Sequence, residues 1–510
     1  MTSSAADGTV PRIPDGAETP EKPHALAKES APPPGRGGRL LPPLLRATAF
    51  RHYWAGQTIS RLGEQISSLA IPLIGVTVVH ADAAQMGYLG AATWLPNLLF
   101  ALHAGLWADR RAHRRRVMIV ADLGRFALLT TIPIAYVFDA LTLVHLYVVA
   151  FLAGTFSVLF EVCNPPVFKA LVPPGRYVEG NALTSGSRAM SKMLGPSLGG
   201  ILVQLLSAPV ALFADALSYL ASAFCLSRIS PAEAAPEPRA AGQLKTAVTF
   251  IARSGVIRAA LAATATVNFF TGMVSTLFVL YSSTALHIRP GVLGVVLGAG
   301  ACGALLGAAC ATPLARRVGV GRTFLLGCVL LPAPLLLIPA ATGPAPVVLG
   351  MLLLAEFLSG LGVMWLDVAL ATILTTSVPD ALRSRVFGAY QAVSLGTRPV
   401  ASLLAGAVAT VFGLRPTLWI AVAGGLTAFL WLLPSPVLSL RQPDGDGAAG
   451  EGTVGEGAAG EGAAGEAGAG AAGAEVPPGA EVPAGPEVPP GAEVPQEVPP
   501  AVPVPPGPGS

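Results

Sequence analysis

Long apolar segments alternate with short polar or charged stretches along most of the chain. Each apolar segment is about 20 residues or longer, the length that an α-helix needs to cross the hydrocarbon core of a bilayer. The pattern therefore predicts twelve transmembrane helices. They lie near residues 57–79, 87–108, 117–138, 144–168, 183–206, 209–228, 258–284, 291–313, 323–342, 346–376, 386–412 and 417–438.

The loop between the second and third segments carries six charged residues, which cannot lie in hydrocarbon. They are Asp109, Arg110, Arg111, Arg114, Arg115 and Arg116. If the N-terminus is cytoplasmic, the predicted inside loops hold seventeen Lys and Arg residues, against Arg289 and Arg415 in the outside loops. Because short cytoplasmic loops are enriched in Lys and Arg, we predict a multi-pass protein of the cell inner (plasma) membrane with both termini cytoplasmic.

The two halves of the chain repeat one another. A shift of 206 residues aligns Asp109-Arg110-Arg111 with Ala315-Arg316-Arg317 and Glu161 with Asp367. Two related halves are the internal symmetry of transporters whose binding site lies between them at the middle of the membrane. We therefore predict an all-α integral membrane fold of two pseudo-symmetric six-helix bundles.

The predicted spans divide the chain into five parts. An N-terminal bundle (49–228) and a C-terminal bundle (258–440) are joined by a cytoplasmic linker (229–257). The N-terminal tail (1–48) and the C-terminal tail (441–510), which is rich in Gly, Ala, Glu and Pro, contain too few bulky apolar residues to build a core. We expect both tails to be disordered.

The composition limits the partners of the protein. The chain is 52% hydrophobic and 12% charged, whereas soluble domains carry about 25% charged residues. Its Lys and Arg residues lie between apolar segments and form no separate basic surface, so we expect a lipid bilayer as partner and no nucleic acid.

Enzymes and primary pumps lack support in the sequence. It contains no Gly-x-x-x-x-Gly-Lys-Ser/Thr phosphate-binding loop. Its seven histidines never form a short-spaced pair, although such spacing is typical of zinc sites. We therefore expect no enzymatic activity, no metal site and no cofactor.

Several motifs resemble those of the major facilitator superfamily. The segment from Gly105 through Asp109-Arg110 to Arg114-Arg115 resembles its signature loop between helices 2 and 3, and residues 195–200 resemble the end of its antiporter motif. Residues 50–64 and 160–183 resemble the drug, macrolide and enterobactin exporter branch. The resemblance covers about residues 48–438 and implies the major facilitator fold.

The resemblance also implies a conformational latch made of Gly105, Asp109, Arg110, Arg114 and Arg115. In the superfamily, the counterpart of Asp109 faces the N-terminus of helix 11. A carboxylate there would favour the closed cytoplasmic side by on the order of 0.3–1 kcal/mol. A loop whose charges only set the topology is the alternative.

Helix 5 contains an antiporter-like segment with the residues Gly195, Pro196, Gly199 and Gly200. Its glycines have no side chain that would hold a neighbouring helix apart. Small residues pack membrane helices closely in many proteins, so ordinary packing and a role in helix bending during transport are both open.

Ionisable residues inside predicted spans are candidates for function. We predict Glu64, Glu161 and Asp215 for proton coupling, with Glu64 first, because burial of an isolated carboxylate favours its protonated form. For Glu161, a gate or a salt bridge to the opposite half is equally open. Further gate or intramembrane charges are Asp122, Arg125, Asp367 and Arg398, of which Asp122 and Arg125 share a helix face and could neutralise each other.

Aromatic and amide side chains in the spans are candidates for the substrate cavity, although helix packing or lipid contact is the commoner role. They include Trp94, Asn97, Asn268, Phe269, Trp365 and Gln391. We predict a secondary active transporter, a monomer that exports drug-like or siderophore-like small molecules in exchange for protons by alternating access. The alternative is a transporter-like membrane scaffold or sensor that recruits partners through its Pro-rich tail.

Overall fold

The computed structural model describes residues 42–109, 113–231 and 249–439, and the long elements in these ranges are all helices. The first six are α1 (Thr48–Thr77), α2 (Ala83–Asp109), α3 (Arg114–Val137), α4 (Leu143–Leu171), α5 (Tyr177–Leu206) and α6 (Ala208–Ser227). The long helices after the second gap are α7 (Gly255–Thr284), α8 (Pro290–Val318), α9 (Val320–Ala340), α10 (Ala345–Ser377), α11 (Asp380–Phe412) and α12 (Leu414–Leu426). A 3-10 segment, Ala333–Leu336, interrupts α9, and another, Thr427–Trp431, extends α12.

Within the described residues, nine helices are long and apolar enough to cross a membrane, namely α3, α4 and α6 to α12. The helices α1 and α5 contain charged side chains such as Glu64 and Lys192, which lower their hydropathy. The assignment of α1, α2 and α5 to the membrane therefore stays a prediction. The helix α1 also begins at Thr48, well before the predicted start near residue 57, because its backbone hydrogen bonds continue through a polar first turn.

Helix boundaries recur along the chain at a nearly constant offset. The helices α3 and α9 begin at Arg114 and Val320, and α4 and α10 end at Leu171 and Ser377, both pairs being 206 residues apart. This is the offset found between the two halves of the sequence. The repeat is therefore present in the backbone as well as in the sequence.

Left-handed backbone conformations recur at nearly the same offset, 206 residues for one pair and 207 for the other. Ser207, between α5 and α6, has φ of 82°, and Gly413, between α11 and α12, has φ of 87°. His80 and His287, which follow α1 and α7, both have φ of 53°. Residues other than glycine rarely adopt positive φ, so these turns have kept their geometry in both halves, even where Ser207 stands in one half and Gly413 in the other.

Helix packing follows the repeat. The helix α1 packs against α6 and α5, as α7 packs against α12 and α11. Similarly, α4 packs against α2 and α3, as α10 packs against α8 and α9. The main contacts between the two sets of helices are α2 with α11 and α5 with α8, and exchanging the sets converts one of these contacts into the other.

The two sets of helices share a core at one end only. At the end where α1 finishes and α2 begins, buried residues of both sets, such as Leu73 and Phe278, belong to one apolar cluster. At the end where α2 finishes and α3 begins, Phe50 and Phe160 belong to a cluster of the first set, and Phe324 and Ile373 belong to a separate cluster of the second.

Glycines between the two sets mark the same closed end. An added Cβ at Gly87 of α2 would lie 2.7 Å from the carbonyl oxygen of Ser402 in α11, and one at Gly200 of α5 would lie 3.0 Å from the Cα of Gly294 in α8. Towards the other end, Gly186 in α5 has no described atom within 4 Å of such a Cβ. The described helices therefore meet tightly at one end and separate towards the other.

Candidate functional site

The described parts of the predicted latch lie at the open end. The backbones of Gly105 and Asp109 belong to the last turns of α2, but the side chain of Asp109, and Arg110 as a whole, lie outside the described residues. Arg114 and Arg115 form the first turn of α3. The guanidinium of Arg115 donates a hydrogen bond to the carbonyl oxygen of Ile229, which connects the start of α3 to the segment after α6.

A buried ion pair lies in the first set of helices. Asp122 and Arg125, one turn apart on α3, form a salt bridge and are 0% and 4% exposed. The guanidinium carbon of Arg125 lies 4.7 Å from the ring centre of Phe160 in α4 and 4.2 Å from that of Tyr219 in α6. Stacking of a cation on two aromatic rings stabilises its charge away from water.

Asp215 of α6 is fully buried beside this ion pair. Its two carboxylate oxygens accept hydrogen bonds from Ser67 of α1 and Ser218 of α6. Gly63 of α1 faces the same carboxylate, and a Cβ there would collide with Asp215 and Ser218. These contacts give Asp215 a structural function in joining α1 to α6.

Glu64 has different surroundings. Its side chain is exposed, although it lies among charged residues of three neighbouring helices. The charges that act on it belong to Arg61 on its own helix, Arg125 of α3, Glu161 of α4 and Arg188 of α5. An exposed carboxylate surrounded by several helices faces the space between them, where water can reach it.

Glu161 pairs within its own half. One of its carboxylate oxygens lies 3.9 Å from the guanidinium of Arg61 in α1. In the described ranges, Glu161 forms no salt bridge to the opposite half, which is one of the two contacts that the sequence left open for it. The reason is that α4 packs beside α1 and places the two residues at the same level.

A second charge cluster joins the two sets of helices. Lys192 of α5 lies within electrostatic range of Asp367 in α10 and of Arg398 in α11. The guanidinium carbon of Arg398 lies 4.2 Å from the ring centre of Trp94 in α2. Because Arg61 and Arg188 also act on Lys192, the charges around Glu64 and those around Arg398 form one continuous network.

Some of the predicted cavity residues lie in the open space between the helices, and others belong to the core. Asn97 of α2 is half-buried, and Gln391 of α11 is exposed. Phe269 of α7 packs edge-to-face on Phe270, with ring centres 5.1 Å apart, and contacts the shared core. Asn268 beside it is half-buried. Trp365 of α10 is also half-buried, and its indole nitrogen is buried without a hydrogen-bond partner among the described residues.

The antiporter-like segment of α5 contacts two helices. Gly195 and Gly199 face α1, where an added Cβ at Gly199 would lie 3.1 Å from the Cα of Ile66. Gly200 faces α8, next to Pro290 and Gly294. Pro196 is buried between these contacts. The segment therefore packs α5 against its own half and against the opposite half.

Sequence reasoning did not identify several residues of these clusters. Lys192 is a charged residue inside an apolar span, and the rule that selected Glu64 would also have selected it. Ser67, Ser218 and Tyr219 have no such signal, because serines and tyrosines are common in membrane helices. Only the packing of α6 on α1 and α3 brings them to Asp215 and Arg125.

Metal ligands do not cluster in the parts of the chain that the structure describes. No group of three or more His, Cys, Asp or Glu side chains in those ranges could hold a metal ion.

A family profile matches nearly all of the described chain. It is the profile described as transmembrane secretion effector, and it covers residues 40–447. The chain belongs to this family of major facilitator superfamily transporters. The transporter is thus a multi-pass membrane protein.

Curated relatives of the transporter are themselves transporters. An uncharacterized MFS-type transporter of Bacillus subtilis, YfiS, is 28% identical over 67% of this chain and 82% of its own length. The multidrug efflux pump Tap of Mycolicibacterium fortuitum is 24% identical over 70% of this chain and 88% of its own length. The pump of the same name from Mycobacterium tuberculosis is 26% identical over 70% and 85%.

Solved structures of transporters share the fold. The nucleoside transporter NupG superposes with a TM-score of 0.62 over 76% of this chain and 98% of its own, at 10% sequence identity. An inward-facing bacterial homologue of the iron transporter ferroportin gives a TM-score of 0.61 over 77% and 98%, at 16% identity. At these identities the likeness concerns the fold alone.

Proposed function

We propose that this transporter is a proton-coupled exporter of drug-like or siderophore-like small molecules that works by alternating access. Membership of the transmembrane secretion effector family and the similarity to multidrug efflux pumps support export. We include in the proposal a monomer of twelve transmembrane helices in two six-helix bundles. The recurring helix boundaries and the paired helix contacts support that arrangement.

The observation that carries proton coupling is the position of Glu64. A proton carrier must exchange protons with water and must also change its interactions with the protein when its charge changes. The side chain of Glu64 is exposed in the space between helices, and Arg61, Arg125 and Arg188 lie within electrostatic range of it. Loss of its charge would therefore alter the balance of charge among α1, α3 and α5.

The separation of the helices supports alternating access. The two sets share a core and close glycine contacts at one end, and they separate towards the end that carries the arginine-rich loop. If that loop is cytoplasmic, as the distribution of Lys and Arg indicates, the cavity opens to the cytoplasm. In the proposed cycle, cargo enters there and leaves after the opposite end opens.

A scaffold or sensor that acts through the Pro-rich tail is the weaker proposal. The tail lies outside the described residues, and most of it, residues 448–510, lies beyond the matched residues 40–447. The relatives of this chain from Mycolicibacterium fortuitum and Mycobacterium tuberculosis are multidrug efflux pumps. Transport that persists after removal of residues 441–510 would support the exporter and would make the tail accessory.

Transport into everted membrane vesicles tests the proposal. With an acidic vesicle interior, an exporter that exchanges cargo for protons accumulates its cargo inside. We expect at least one compound in a panel of macrolides, dyes and siderophores to accumulate, and we expect collapse of the pH gradient to abolish the accumulation. Accumulation that is insensitive to the gradient would contradict proton coupling, and no accumulation by well-folded protein would contradict export.

A further inference from the structure

The stacked pair Arg398 and Trp94 lies where the two halves of the transporter meet. Trp94 belongs to α2 and Arg398 to α11, and the guanidinium carbon lies 4.2 Å from the ring centre. One turn nearer the closed end, an added Cβ at Gly90 would lie 3.0 Å from the Cβ of Ser402 in α11. The pair therefore lies at the inner limit of the open space, directly beneath the contact that closes it.

Stacking uses only one face of the guanidinium. The N–H groups of arginine point outward in the plane of the group, so a guanidinium that lies on an aromatic ring can still donate two parallel hydrogen bonds to a carboxylate. In the ranges that the structure describes, none of the hydrogen bonds uses a donor of Arg398. The guanidinium of Arg398, held over the ring of Trp94, therefore has donors that a ligand can use.

Positive charges outnumber negative ones around Lys192. Arg188, Arg398 and Arg61 act on it together with one carboxylate, Asp367, which is also within electrostatic range of Arg398. Within the described part of the chain, neither Lys192 nor Arg398 is in ion-pair contact with Asp367. An uncompensated charge inside a membrane is unfavourable, and an anionic ligand would compensate it.

Residues on the same faces of α2 and α11 provide polar contacts. Asn97 lies one turn from Trp94 on α2, and Gln391 lies two turns from Arg398 on α11. Lys192, Asp367 and Gln391 are all exposed, so the space that they line is open to a solute. This wall combines two cations, amides and an aromatic ring, which suits a ligand with an acidic group and an apolar body.

We propose that the cargo of this transporter is an aromatic or other amphiphilic organic acid, whose carboxylate binds Arg398 and Lys192 beside Trp94. The inference rests on the proposed export function and adds the chemical class of the cargo. The proton site at Glu64 and the anion site at Arg398 are distinct in this arrangement, although Lys192 and Arg188 connect them electrostatically. A cationic cargo would meet repulsion from Arg398 and Lys192.

Three probes that share one ring system test the charge preference: naphthoate, its methyl ester and naphthylmethylammonium. We would measure their equilibrium binding to the purified full-length protein and their uptake into everted vesicles. The acid should bind at least about tenfold more tightly than the ester, because hydrogen bonds between two charged groups are stronger than those to a neutral acceptor. Arg398→Gln should remove this preference, and Lys192→Gln should reduce it.

Arg398→Lys serves as the matched variant, because it retains the charge but lacks the planar edge, and it should keep only part of the preference for the acid. Asp82→Asn, at the exposed start of α2, should leave all three affinities unchanged.

Equal binding of acid and ester, or tighter binding of the ammonium probe, would overturn the inference. If other compounds were still exported under a pH gradient, the proposed function would stand. Failure of export with intact binding of the acid would instead count against the proposed function.

Discussion

Gly63 of α1 lies directly against the carboxylate of Asp215 in α6. The missing side chain lets the carboxylate approach the backbone of α1 and accept a hydrogen bond from Ser67, one turn further along the helix. A small residue and a buried acid therefore determine together how closely α1 packs on α6. The contact between Gly63 and Asp215 contributes to stability. Asp215 differs in this from Glu64, the residue after Gly63, whose side chain is exposed.

Gly63→Ala should destabilise the transporter. Its Cβ would collide with Asp215 and Ser218, and insertion of a methyl group into a packed core typically costs about 1–3 kcal/mol. We expect a lower midpoint in thermal unfolding of the detergent-solubilised protein. Gly186→Ala is the matched control, because no described atom lies within 4 Å of the added Cβ. An equal fall in both variants would contradict the packing explanation.

Replacing one member of the ion pair Asp122–Arg125 should destabilise the transporter far more than replacing both. Arg125→Gln leaves the carboxylate of Asp122 buried without its counter-charge, and breaking a buried pair in this way typically costs about 3–5 kcal/mol. Asp122→Asn combined with Arg125→Gln removes both charges and should recover much of the loss. Thermal unfolding of the two single variants and the double variant checks this, and additive losses would contradict it.

Hydropathy and repeat analysis predicted a large part of this architecture. The offset of 206 residues, first seen between Asp109 and Ala315, reappears between the helix starts at Arg114 and Val320. The helix ends were harder to predict. A helix can extend past its apolar stretch into a polar turn, as α1 does at Thr48, and hydropathy does not register that extension.

The candidate site was only partly predictable for a physical reason. Charges inside apolar spans are visible in the sequence, so Glu64, Asp122 and Arg398 could be named. Their partners depend on how the helices pack. Nothing in the sequence indicates that Glu161 pairs with Arg61 in its own half, because helix packing depends on shape and small residues across several helices.

Glu64→Gln and Asp215→Asn should affect transport and stability in opposite ways. Glu64→Gln removes an exposed titratable group and should abolish proton-driven accumulation while unfolding as wild type does. Asp215→Asn alters buried hydrogen bonds to Ser67 and Ser218, so it should lower the unfolding midpoint and leave coupling intact in the folded fraction. Vesicle uptake normalised to folded protein measures the coupling, and thermal unfolding measures the midpoint. Full coupling in Glu64→Gln would remove Glu64 from the proposed mechanism.

Gly294→Ala should shift the transporter away from the conformation seen here. An added Cβ would meet the carbonyl oxygen of Pro196 and lie 3.1 Å from the Cα of Gly200, both in α5. That contact closes one end of the cavity, so extra volume there destabilises this state relative to one in which the end is open. Unlike Gly63→Ala, the change acts between the two halves, and its main effect is expected on the conformational equilibrium.

Distances between spin labels would measure that shift. Labels introduced by Asp82→Cys and Val411→Cys, in a background without the five native cysteines, lie near the closed ends of α2 and α11. Gly294→Ala should increase the population at longer distance. Gly350→Ala, where no described atom lies within 4 Å of the added Cβ, should leave the distribution unchanged. An unchanged distribution in Gly294→Ala would mean that the α5–α8 contact does not control closure.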